Sequence, residues 1–132
     1  MKTNRWLRML AGAAGLAMLL TLAGTPLLAH HGAADYEKEK TITIKGAVVD
    51  YQLINPHTVI VIHGGPEGSE PADWRIESVA LNMMVRVGWK TNTLKPGDVV
   101  TVTGRPNKAG KPAMLLVKMM LPDGRELDAP YQ

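Results

Sequence analysis

The chain has 132 residues, neither cysteine nor phenylalanine, and a formal net charge of +3 at pH 7. Lys2, Arg5 and Arg8 supply that whole excess and every acidic residue lies beyond position 29, so the remainder is formally neutral and lacks the basic face a nucleic-acid partner would need. Without cysteine there is no disulfide framework, thiolate metal site, thiol nucleophile or lipoprotein attachment point.

Met1 to Arg8 is basic with no acid, Met9 to Leu22 is apolar, and Thr25-Pro26-Leu27-Leu28-Ala29 ends on a small residue. This three-part pattern predicts a secretory signal peptide over residues 1–29, cut after Ala29. It implies a periplasmic or secreted protein that meets a membrane only through this segment, during export. The alternative, an uncleaved anchor, is opposed by the glycines, Thr21, Thr25 and Pro26 in the apolar run. No twin-arginine pair precedes that run, so export in the unfolded state is expected. Cleavage leaves residues 30–132, enough for one domain with a modest core, and makes His30 the new N-terminus, followed by His31.

Asp35 to Lys40 is charged and reads as a solvated lead-in. From Thr41 the pattern alternates, with Ile42, Ile44 and Val48 on one parity, and this predicts a half-buried strand that bends at Gly46. After Asn55-Pro56, the run His57 to His63 is apolar on both parities and predicts a strand covered on both sides. Gly64 to Pro71 is a loop. Asp73 to Glu77 predicts a third strand with Trp74 and Ile76 inward. Ser78 is placed to cap a short helix reaching Arg86 or Val87, which Gly88 ends. Lys95-Pro96-Gly97-Asp98 is a turn and Val99 to Thr103 a strand. After a Gly- and Pro-rich turn, Ala113 to Leu121 is the last strand, and Pro122 to Arg125 leads into a frayed tail. The fold class is therefore mainly β: a small five-stranded OB-like antiparallel barrel with one short helix between its third and fourth strands. A small β-sandwich is the rival, and the helix argues against it.

The chemistry centres on the new terminus. An N-terminal histidine binds a metal through its amine and Nδ1 in one chelate ring, and a further imidazole completes a T-shaped site suited to copper. His31, His57 and His63 are the candidates for that imidazole. His57 and His63 lie about 20 Å apart along a strand, too far to share one ion. His57, at the Asn55-Pro56 corner, is the better placed, and His63 beside Gly64-Gly65 reads as a surface residue. Against this stands a plainer reading, with His30 and His31 as a disordered polar end and the His57 ring bonded to nearby backbone.

Met83, Met84, Met114, Met119 and Met120 could be soft copper ligands, but without Phe they are expected to fill the core. Met114, Leu116 and Met120 share a parity with Lys118, which places a small apolar patch on the solvent side of the last strand. The acids from Glu67 to Asp73 are too irregularly spaced for a divalent-ion loop. No HExxH, GxSxG or P-loop pattern is present.

The set His30-His31 after a signal peptide, Asn55-Pro56-His57, Trp74, Gly88-Trp89 and Leu94-Lys95-Pro96-Gly97-Asp98, followed by Val100-Thr101-Val102-Thr103-Gly104, resembles the small exported bacterial proteins grouped as domain of unknown function 6152. Members are richer in aromatics ahead of the Asn-Pro-His corner, where this chain has Leu53-Ile54. The resemblance supplies no activity; it implies that the two-histidine terminus and Asn55-Pro56-His57 belong to one pattern. The expected protein is a non-enzymatic periplasmic binding module holding copper through His30, with His31 or His57 assisting. The alternative is a metal-independent interaction module for a periplasmic protein or an envelope component.

Overall fold

The computed structural model describes residues 32–130; the expected leader, His30 and His31 lie outside them. Six strands form in the order β1 (Ile42–Gln52), β2 (Val59–Gly65), β3 (Ala72–Glu77), β4 (Val99–Pro106), β5 (Ala113–Met120) and β6 (Glu126–Asp128). One α-helix, α1 (Leu81–Arg86), lies between β3 and β4. β1 pairs with both β2 and β4, and the sheet closes on itself where β3 meets β5, giving a five-stranded barrel with OB-like connectivity. The expected antiparallel barrel is mixed at that one seam, because β3 and β5 run parallel, with Ile76 opposite Met114.

The strands form where period-two alternation puts branched side chains inside. Ile44, Val48, Ile60, Ile62, Ile76, Val100 and Val102 are all buried in one core with Met84, Met114 and Met119, so three methionines do fill the interior. Gly46 lies in the stretch of β1 that pairs with both neighbours, while the break in register falls just beyond it, between Val48 and Asp50. That bulge reverses the parity of β1, so that Leu53 is buried.

A second bulge corrects the expected solvent side of β5. The β4–β5 register shifts between Thr103 and Gly104, whose partners are Lys118 and Leu116. Val117 is therefore passed over and the inward parity changes: Met114 and Leu116 point in before it, Met119 and Leu121 after it. Of the proposed apolar patch, only Met120 is exposed.

Two turns behave as their residues dictate. Gly97, at φ +90°, occupies the third position of the Lys95–Asp98 turn, where a left-handed residue is required. The Asp98 amide donates to the Lys95 carbonyl (3.1 Å). The Lys95 amide and ammonium both reach the Asp98 carboxylate, and hydrogen bonds from Lys95 hold its pKa below the ordinary value. The turn is tied to β1 at the bulge, through Gly97 N–H to Val48 O and Val48 N–H to Asp98 O, both 2.8 Å. At the end of α1, Gly88 (φ +101°) lets the Trp89 amide return to Met84 O and its own amide to Val85 O, a Schellman ending. The turn sends Trp89 into the core, where it is fully buried and its indole N–H donates to Asp128 O (3.0 Å).

Both ends of the described chain are better anchored than their composition suggests. Beyond Pro122–Arg125 the chain forms β6 against β5, and Ala129 is buried. At the other end Tyr36 bridges to Asn107 and is only 5% exposed, so the lead-in is not wholly solvated. Burial, reinforced by the neighbouring Glu77 carboxylate, pushes the Tyr36 phenol up to about 12. Burial likewise pushes Tyr51, whose hydroxyl donates to Lys90 O (2.9 Å), to about 12. Both groups resist ionisation more when folded than when unfolded. Their contribution is thus complete below pH 10 and lost as pH rises from 10 through 12. Alkaline unfolding is expected in that window, and Tyr36→Phe should move its midpoint upward. Tyrosinate absorbance followed together with circular dichroism checks this; an unmoved midpoint would remove Tyr36 from the explanation.

Candidate functional site

The Asn55-Pro56-His57 corner joins β1 to β2 and is held by three local bonds. The Leu81 amide donates to Asn55 Oδ1 (3.2 Å), so Asn55 serves the first turn of α1. This replaces the expected cap: Ala80 occupies the N-cap position without a side-chain bond, while buried Ser78 points inward, its Oγ donating to Met84 Sδ (3.2 Å). Thr58 N–H donates to Val79 O and Ser78 N–H to Thr58 O, both 3.0 Å, which ties the residue after His57 to the chain leaving β3. The Asn55–Pro56 peptide is cis.

His57 is exposed on this braced corner, and its ring has no hydrogen-bond or ion-pair partner among the described residues. The corner role in which the ring bonds nearby backbone is therefore not observed. His63 is also exposed but has a partner. It lies within β2 opposite Asp73 of β3, and its Nδ1 is 2.7 Å from Asp73 Oδ1. The two histidines are separated by the length of β2, as expected. Among the described residues no three His, Cys, Asp or Glu side chains are grouped so that they could hold a metal ion. His30 and His31 lie outside those residues.

Thr58, next to His57, is completely buried and its Oγ1 has no hydrogen-bond partner among the described residues. A buried hydroxyl without a partner costs about 1–3 kcal/mol, so Thr58→Val should raise thermal stability by about 1 kcal/mol. A lower melting temperature would show that the hydroxyl is satisfied after all.

Sequence reasoning missed the roles of two residues. Tyr36 stands alone as an aromatic in a charged segment, and only its bridge to Asn107 reveals its burial. Asn55 was legible as part of the corner but not as the acceptor at the helix start, because its partner is 26 positions away.

The other segments of the resembling set have structural duties. Gly88-Trp89 ends the helix and fills the core, and the Lys95–Asp98 turn clamps β1. Val100 and Val102 are buried on β4. A Cβ at Gly104 would come 2.6 Å from Met114 Sδ, so glycine leaves room for that methionine. Trp74 is half-buried and packs on the core edge. The His57 side chain has no such contact among the described residues.

The model of a family described as Family of unknown function (DUF6152) matches residues 17–116. No curated protein and no solved structure matches the chain significantly. Spanning His30-His31, the Asn55-Pro56-His57 corner and the barrel through the first half of β5, the family match makes this chain a member of the DUF6152 family.

Proposed function

We propose that the protein is an exported, non-enzymatic binding module that holds a copper ion at His30, with His31 or His57 as the assisting imidazole. The observation that carries this reading is the contrast between the strand histidines: His57 is exposed, braced and without a partner, whereas His63 is already engaged by Asp73. An imidazole offered on a braced corner suits an ion otherwise held by a terminal amine and ring nitrogen. The family match takes in every residue of this ligand set.

Intact mass of exported material fixes the starting residue, and copper titration then tests the ligands. With His30 at the terminus, His57→Ala should weaken binding and His63→Ala should leave it unchanged. If His31→Ala weakens binding and His57→Ala does not, the assisting imidazole is His31. Protons compete for both the amine and the rings, so affinity should fall as the pH is lowered.

A second reading, an interaction module that needs no metal, is favoured by the half-exposed Val49, Val99 and Met120. Val99 pairs with Ala47 on β1, and Met120 with Thr101 on β4, so Val99 and Met120 lie on the same outer face of neighbouring strands. If no copper binds to protein starting at His30, this reading takes the lead.

A further inference from the structure

A groove of about 480 Å³ lies on the outside of the barrel, away from the His57 corner, lined by Thr43, Ile44, Lys45, Gly65, Glu67 and Thr101. Thr43, Lys45 and Thr101 bring outward-facing positions of β1 and β4 to its floor. Thr43 and Lys45 lie opposite Thr103 and Thr101, and the Thr43 and Thr103 hydroxyls are 3.0 Å apart. The wall is the turn leaving β2. There the amide and hydroxyl of Ser69 both donate to Pro66 O, at 3.1 and 2.7 Å, and Glu67 projects from the turn.

Three polar groups in or beside the groove have no hydrogen-bond or ion-pair partner among the described residues. Lys45 and Glu67 are exposed charges of opposite sign with neither hydrogen-bond nor ion-pair partners among the described residues. The Trp74 indole N–H likewise has no acceptor there. Gly65 lies beside it: a methyl group at that position would press on Ser69 Oγ at 2.7 Å and lie 3.6 Å from Trp74 Nε1. A cation, a carboxylate and threonine hydroxyls therefore line a concavity large enough for a small ligand, and the indole donor lies beside its Gly65 edge.

We infer that this groove binds a small zwitterion carrying both an ammonium and a carboxylate, such as an amino acid or a short peptide. Lys45 and the Trp74 N–H take the ligand carboxylate, Glu67 takes the ammonium, and the threonine hydroxyls complete the polar contacts. Either half-ligand leaves one protein charge without a partner, so the two-charge ligand is selected. The inference is independent of copper.

The test is a ¹⁵N NMR titration with alanyl-alanine, following the indole resonance of Trp74, which is assigned with Trp74→Phe. A saturable shift is expected, with binding weakened about tenfold by Lys45→Met and by Glu67→Gln, the loss of one charge-assisted hydrogen bond. Gly65→Ala sets a methyl group between Ser69 and the indole N–H and should abolish the shift while leaving the buried Trp89 resonance in place, which reports an intact fold. The inference is overturned if the Trp74 resonance does not move. It is equally overturned if acetate, methylammonium or glucose alone bind as well as the dipeptide, or if the charge variants bind like the parent.

Discussion

Trp89→Ala should be the most damaging single truncation in the barrel. Trp89 is the largest of the fully buried side chains, its ring centroid is 6.3 Å from that of Tyr51, and its N–H bond to Asp128 O holds the C-terminal strand close. Truncating a buried tryptophan costs about 3–5 kcal/mol, against a total of about 5–15 kcal/mol for a domain. The same change at Trp74, which is only half-buried, should cost clearly less. Thermal melts of the two variants make the comparison. The reverse order would mean that Trp74, not Trp89, anchors the core, as the alternation of β3 alone suggests.

The second large effect is expected at Gly64. Gly64 and Gly46 face each other across β1 and β2, and the backbones approach so closely that a Cβ at Gly64 would run into Lys45 O and lie 2.6 Å from Gly46 Cα. Both obstacles are backbone, so relief requires the strands to part and the ladder to break. Gly64→Ala should cost about 3 kcal/mol, the upper end for overpacking, or prevent folding. Its neighbour is the control: at Gly65 the nearest obstacle is the Ser69 hydroxyl, a side-chain end that can rotate. Gly65→Ala should therefore stay within about 1 kcal/mol of the parent. Similar melting temperatures for the two variants would contradict the close approach of β1 and β2.

These comparisons also show where sequence reading works here and where it stops. Period-two alternation located β1 and β3, a run apolar on both parities located β2, and the absence of Phe pointed to Met84 and Met119 as core residues, as they are. Alternation fails at a bulge, because one unpaired residue exchanges the two faces of everything after it. Val49 and Val117 are such residues, and neither carries a local mark, so the faces of Leu53 and of Met114 and Leu116 could not be read correctly. Ser78 has the right chemistry for a cap, but the fold uses Asn55 from a distant segment. The C-terminal strand was invisible because three residues, Glu126 to Asp128, are too few to establish a period. At the candidate site, His57 and its corner were legible because Asn-Pro marks a turn. Its lack of a partner, and the engagement of His63 by Asp73, required the fold.

The copper proposal turns on the α-amine of His30, and one comparison isolates that group. Copper is titrated into protein beginning at His30 and into the same protein carrying one additional residue before it, so that every side chain is retained and only the terminal amine is moved. The account predicts that the extension weakens binding by about tenfold or more, the loss expected when one ligand of a chelate is withdrawn. Equal affinity for the two proteins would contradict it and place any copper site elsewhere.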